Sequence, residues 1–194
     1  MSFRIEEKLF INQNQLVDFK DFLKKKNATQ IYNPRIIESL YFENLKKEMY
    51  EDSIEGLVPR KKIRVRIYPE EKEKKIFLET KVSSVEGRHK TRREINEEQF
   101  NKIKEDGIFD FKYGTCKPLL YVSYKREYFK IKDVRISIDY KIQYNLFTGR
   151  DLGKDENIIV ELKTSINKNL DDLIKDFPMQ RTRFSKYCNG IQKI

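Results

Sequence analysis

The sequence predicts an α+β protein built on antiparallel strands, and three observations point there. Strand-like segments recur along the chain, at about 3–11, 36–43, 61–68, 75–82, 88–94, 119–130, 134–145 and 157–164. Several of them alternate between an apolar and a charged face, as a pleated strand requires. Segments with a helical stripe fill some of the gaps between them. There is no internal repeat, and 194 residues suit a single domain over 1–194 that can bury a core without staples.

In chain order, the first strand sets Phe3, Ile5 and Leu9 against Arg4, Glu6 and Lys8. "QLVDFKDFLKK" then places Leu16, Phe19 and Leu23 at helical spacing. In "KKIRVRIY" (Lys61–Tyr68), Ile63, Val65 and Ile67 oppose Lys62, Arg64, Arg66 and Tyr68. Ile76, Leu78 and Val82 oppose Glu79 and Lys81 in the next strand. "NEEQFNKIKE" reads as a helix with Asn96 as its N-cap. The segment Leu119–Lys130 is mixed and fits the alternation less well. Val134, Ile136 and Ile138 oppose Arg135, Ser137 and Asp139, and Val160 and Leu162 oppose Glu161 and Lys163. "NLDDLIKDF" has Asn169 as cap and Leu170, Leu173 and Phe177 on one stripe; Pro178 ends it, and 179–191 reads as a last short helix.

An antiparallel sheet with one face on a core and the other in water produces such alternation, and is its commonest source. Two features favour a different arrangement. The polar faces are rich in Arg and Lys with few Thr, Ser or Gln, and helices with apolar stripes are available to cover the oily faces. With that cover outside, an eight-stranded antiparallel β-barrel with helices packed outside would turn the charged faces inward, around a wet lumen.

The net charge of +10 and pI near 9.4 call for an anionic partner: nucleic acid, an acidic membrane or a phosphorylated small molecule. Cys116 and Cys188 are far apart and lack metal-ligand spacing, so they read as reduced thiols. The start at Met1 carries no apolar run and no stretch approaches membrane-spanning length, so the expectation is a soluble, cytoplasmic protein. His89 has the opposite parity from Lys90 and reads as a surface residue.

A lumen lined by Lys8, Arg64, Arg66, Lys81, Lys90, Arg92, Arg126 and Lys163 would repel itself unless an anion filled it. Arginine forks grip phosphate with two bonds and lysine acts as a point charge, so a compact di- or triphosphate suits such a lumen. Glu6, Glu79 and Glu161 share the parity of the cations. Singly, each reads as an intrasheet ion pair; together, they favour a divalent metal that bridges carboxylate to phosphate oxygens.

The motifs now fall into a familiar succession. Arg4-x-Glu6-x-Lys8 opens it, followed by "SLYFEN" at Ser39–Asn44 with Tyr50 after it, and by Arg64-x-Arg66. "FLETK" supplies Glu79-x-Lys81, "HKTRRE" carries Lys90 and Arg92, and "YVSYKREYF" carries Tyr124 and Arg126. "RISID" brings Arg135 and Asp139, "IVELKT" brings Glu161 and Lys163, and "RFSKYCNGI" brings Lys186. In this order the chain resembles the triphosphate tunnel metalloenzyme (CYTH-like) superfamily and, within it, the VTC-type polyphosphate polymerase domain.

The resemblance implies an eight-stranded β-barrel tunnel with helices outside. It implies a polyphosphate polymerase that transfers the γ-phosphoryl group of ATP to a growing inorganic polyphosphate chain, using Mn²⁺ or Mg²⁺. Glu161 would be the foremost metal ligand, with Glu6 the second. Lys8, Arg64, Arg66, Lys81, Lys90, Arg126 and Lys163 would grip the triphosphate, with Arg92, Arg135, Lys186 and Tyr124 contributing to substrate binding. Arg4 stands where the superfamily has its first Glu, as expected of a polymerase type. A membrane-protein partner would hold such a domain at the inner membrane. A metal-dependent triphosphatase on the same fold and a non-catalytic polyphosphate-binding module stay open as alternatives. Nucleic acid is disfavoured as a partner, because the stacking candidates Tyr41, Tyr68 and Tyr124 share faces with the cations.

Overall fold

The computed structural model describes residues 4–71, 74–165, 170, 175 and 180–194. Its strands are β1 (Arg4–Ile11), β2 (Thr29–Glu43), β3 (Arg60–Tyr68), β4 (Lys75–Ser84), β5 (Gly87–Ile95), β6 (Ile108–Asp110), β7 (Gly114–Ile131), β8 (Val134–Leu146), β9 (Asp151–Asp155), β10 (Ile158–Ser165) and β11 (Gln180–Arg181). The helices are α1 (Gln13–Lys25), α2 (Glu48–Glu55), α3 (Glu97–Asp106) and α4 (Lys186–Ile191). The strand order is β11-β1-β10-β8-β7-β2-β3-β4-β5, with β6 on β7 and β9 on β8.

This corrects the expected eight-stranded barrel in two respects. Among the described residues there are eleven strands, and their order is not closed, because β11 and β5 stand at its two ends. The eight segments read from the sequence all form strands; β6, β9 and β11 are short additions of 3, 5 and 2 residues. The charges of β5, including exposed Arg88, Lys90, Arg92 and Arg93, discourage a further strand at that edge. A second correction concerns the last helix, which begins at Lys186 and not near residue 179. Gln180 and Arg181 instead pair with Phe10 and Leu9, and the Thr182 N–H donates to the Lys8 carbonyl at 2.9 Å, so strand bonds satisfy this backbone. The stretch 169–177 with Pro178 lies outside the described residues, apart from Leu170, which is buried, and Lys175.

The chain forms two compact units. One comprises 1–35, 124–142 and 154–184; the other comprises 36–123, 143–153 and 185–194. In the first, Leu9, Ile11, Ile136, Ile138, Val160 and Leu162 build the core with Phe19 and Leu23 of α1. The start of α1 is set by a capping box, in which Asn12 Oδ1 accepts from the Gln15 N–H at 2.9 Å and Gln15 Oε1 accepts from the Asn12 N–H at 3.0 Å. Burying Phe19 and Leu23 contributes roughly 1.5–3 kcal/mol each, which holds α1 to the sheet.

In the second unit, Asn96 and Gln99 repeat the capping box at α3, which buries Phe100. The buried Glu43 carboxylate accepts from the backbone N–H groups of Asn44, Met49 and Tyr50 and from the Tyr187 hydroxyl. It therefore ties the first turn of α2 and the body of α4 to the end of β2. Burial holds the Glu43 carboxyl above the ordinary range in spite of these four bonds. Gly190 lets α4 approach its neighbours, since a Cβ there would lie 2.5 Å from Leu120 Cδ2 and 2.8 Å from Tyr144 Cδ1.

Candidate functional site

The strand pairing of the second unit sets charged side chains in rows across β2–β5. One row reads Tyr41, Arg64, Glu79, Arg92; the next reads Lys62, Lys81, Lys90. The apolar side of β3 is buried at Ile63, Val65 and Ile67, yet the other side is buried as well: Arg66 is 8% exposed and Tyr68 6%. Exposure grows toward the edge strand, where Lys90 and Arg92 are exposed.

Glu79, 1% exposed, is the hub. Arg64 donates to its Oε2 through Nε at 2.9 Å and Nη2 at 2.7 Å, and Lys90 Nζ donates to Oε1 at 2.5 Å. Arg92 Nε and Arg66 Nε stand 3.5 and 3.9 Å away. Burial alone would raise the Glu79 carboxyl, but Arg64, Arg66 and Lys90 outweigh it and hold the group at about 2. The ion-pair reading of Glu79 is therefore the one observed. Burial pulls the Lys90 ammonium down to about 8; Glu79 opposes this, and Arg64 and Arg66 add to it. Tyr41 accepts from Arg64 Nη1 at 2.9 Å, and the charges of Arg64, Arg66 and Lys186 lower its pKa although burial works the other way. Arg92 Cζ lies 3.6 Å from the centroid of the Phe77 ring. His89 is half-buried and pairs with Val82, on the face opposite Lys90, which amends the expectation of a surface position.

The lysine row shares that hub at one end, where Lys90 reaches Glu79. Lys62, Lys81 and Lys90 face one another across three strands, an arrangement of like charges that is destabilising unless anions offset it. Lys62 Nζ donates to Ser185 Oγ at 3.0 Å and lies 5.1 Å from the Tyr187 ring centroid, which fixes the start of α4 and with it Lys186. Alternation puts Lys62 on the cationic face, opposite Lys61, but the Arg64-x-Arg66 motif does not include it.

The first unit holds a second, more balanced constellation. β1, β10 and β8 pair Lys8 with Glu161, Glu6 with Lys163, Glu161 with Ser137 and Lys163 with Arg135. Arg126 grips Asp139 with Nε at 2.5 Å and Nη2 at 2.6 Å, and its Nη2 is 3.5 Å from Glu161 Oε2. Lys163 Nζ stands 3.1 Å from Glu161 Oε1 and 3.9 Å from Glu6 Oε2. Lys8 Nζ donates to the Phe184 carbonyl at 2.7 Å. Burial would raise the Glu161 carboxyl, but a hydrogen bond with Glu6 and the charges of Lys163, Arg126 and Lys8 hold it well below the ordinary range. Tyr124 is buried, its ring centroid 5.3 Å from Arg126 Cζ. Arg135 is exposed. Asp139 orients Arg126, a role that its place in "RISID" did not announce.

Among the described residues no group of three or more His, Cys, Asp and Glu could hold a metal on its own. Glu6 and Glu161 do meet, and two carboxylates completed by phosphate oxygens suit a Mg²⁺- or Mn²⁺-sized cation, which commonly takes one or two protein carboxylates. Cys116 and Cys188 are free and buried. Among the described residues no helix is long and apolar enough to cross a membrane.

The VTC domain family model matches residues 3–194. The chain belongs to the VTC domain family. No curated protein matches it. Among solved structures it is similar to a protein of Pyrococcus horikoshii, with TM-score 0.65 and 16% identity, covering 99% of this chain and 100% of that one. A candidate adenylate cyclase of Bacillus halodurans gives TM-score 0.64 at 13% identity, covering 100% and 97%. Another, of Vibrio parahaemolyticus, gives 0.63 at 11%, covering 98% of each. At these identities the likeness establishes a fold shared with these proteins.

Proposed function

We propose that this VTC domain is a polyphosphate polymerase acting on ATP. The observation that carries the reading is the cation-rich face of β3–β5, where Arg64, Arg66, Lys90 and Arg92 share the buried carboxylate of Glu79 beside the row Lys62, Lys81, Lys90. Such a face lowers its energy by taking up a compact polyanion. Arg126, Lys163 and Lys8 serve phosphate oxygens in the other unit, with Arg135 and Tyr124 contributing to substrate binding there and Lys186 in the unit of β3–β5. Two fold neighbours are described as candidate adenylate cyclases, which act on a nucleoside triphosphate; this supports ATP as the substrate class.

In the proposed reaction an oxygen of the polyphosphate end attacks the γ-phosphorus of ATP, the bond from that phosphorus to the β–γ bridging oxygen breaks, and ADP departs. Little covalent work falls to the protein, so positioning and charge neutralisation by fixed guanidinium and ammonium groups account for the acceleration. Glu161 and Glu6 would hold a divalent cation, Mn²⁺ or Mg²⁺, which when bound neutralises charge on the transferring phosphates. A membrane partner, if the protein has one, would draw the product away.

The test is incubation with ATP and Mn²⁺, followed by electrophoresis for a ladder of long-chain polyphosphate. Glu161→Gln, nearly isosteric, is expected to abolish metal-dependent ladder formation; it also lowers the thermal midpoint by removing the charge paired with Lys163 and Arg126, so retained tripolyphosphate binding is the check that the variant is folded. Release of free phosphate without a ladder would replace the polymerase by a triphosphatase, and tripolyphosphate binding without turnover would leave a binding module.

A further inference from the structure

We propose that Tyr32, Arg35, Tyr128 and Arg135 form a stacking platform for the base of a nucleoside triphosphate whose phosphates are held beside Arg126. The inference rests on the triphosphate-binding reading above and deepens it by naming the surface that would take the base.

All four residues belong to the unit that contains Arg126, Lys163 and Glu161. The rings of Tyr32 and Tyr128 meet edge to face, with centroids 5.3 Å apart and planes at 83°. Arg35 Cζ lies 5.3 Å from the Tyr32 centroid and 5.0 Å from that of Tyr128, and Arg35 Nη2 donates to the Tyr128 hydroxyl at 3.3 Å. Arg135 Cζ lies 5.8 and 5.4 Å from the same two rings. Tyr128 is buried and fixed, while Tyr32 is 47% exposed, so one ring anchors the group and the other is offered to solvent.

The position matters as much as the composition. Arg126 Cζ lies 5.8 Å from the Tyr128 centroid on its way to Asp139 and Glu161. Tyr128, the inner ring of the platform, thus neighbours the Arg126 guanidinium, so a nucleotide with its base on the platform would carry its phosphates toward Arg126. Nucleobases stack on tyrosine rings and on guanidinium planes alike, and both surfaces are present. Stacking of this type tolerates any base, so the platform selects nucleoside triphosphates as a class and does not choose among them. Inorganic tripolyphosphate makes no use of it.

The experiment is calorimetric titration of the full chain with ATP, GTP and inorganic tripolyphosphate in Mn²⁺-containing buffer, for the native protein, Tyr32→Ala and Tyr32→Phe. Loss of the ring is expected to weaken ATP and GTP about tenfold, the order of one base–aromatic stack, and to leave tripolyphosphate unchanged. Tyr32→Phe, which keeps the ring, is expected to retain the native affinity for all three. The tripolyphosphate arm also reports that the variant is folded. Undiminished ATP binding by Tyr32→Ala, or an equal loss for all three ligands, overturns the platform and leaves the triphosphate reading intact. A native protein that binds neither ATP nor tripolyphosphate overturns both.

Discussion

Glu79→Gln tests whether one carboxylate is the internal counterion of the cationic face. The side chain is almost fully buried, accepts two bonds from Arg64 and one from Lys90, and is held at about 2 against an ordinary value of 4.5. At about 1.4 kcal/mol per pH unit, that gap corresponds to about 3 kcal/mol of stability carried by the ionised form. Because the folded-state value is depressed, this contribution is complete above about pH 4.5 and is lost as the pH falls toward 2. At neutral pH the substitution removes the charge and is expected to cost about 3 kcal/mol, in line with breaking one side of a buried pair. For a chain of 194 residues that is a fall in thermal midpoint of about 6–12 °C. Calorimetry with and without tripolyphosphate is the assay. The anion should raise the midpoint of the variant more than that of the native protein, since Arg64, Arg66, Lys90 and Arg92 have lost their shared counterion. An unchanged midpoint at pH 7, or an equal rise on adding the anion, would refute the counterion role.

Lys90 gives a pH dependence. Its ammonium titrates near 8 in the free protein, and a bound anion raises that value, so tripolyphosphate affinity is complete below about pH 8 and declines as the pH climbs through it. Titrations at about pH 7 and about pH 9.5 should show the decline in the native protein and not in Lys90→Arg; parallel curves would remove Lys90 from the anion contact. Gly190→Ala forces a Cβ against Leu120 and Tyr144 and is expected to cost about 1–3 kcal/mol in urea unfolding. An unaltered midpoint would mean that those two side chains move aside freely.

The strands were legible because alternation is a local signal. Ile63, Val65 and Ile67 read as buried and are, and Asn96 reads as an N-cap and is one, while the matching cap Asn12 came only with the structure. Parity, however, separates polar from apolar and not wet from dry. It could not show that Arg66 and Glu79 are as buried as much of the oily face behind them. β2 begins seven positions earlier than its alternation suggests, since Thr29–Arg35 are held by partners elsewhere in the chain and not by a pattern of their own. α2 escaped detection because Glu48–Glu55 is short and buries only Met49, although Gly56 in a left-handed conformation marks its end. The cations of the site were readable one strand at a time. The partners that orient them, Asp139 for Arg126 and Tyr41 for Arg64, depend on long-range pairing that no local window contains.

The threading of the chain has a consequence for synthesis. β1 pairs with β10 about 150 positions downstream, and the unit that begins at Ile36 is completed only by 185–194, where Tyr187 meets Glu43 and Gly190 meets Leu120. A nascent chain on the ribosome therefore holds half-finished sheet edges until α4 emerges. The dense positive charge of β3 and β5 keeps those strands apart from one another during the wait.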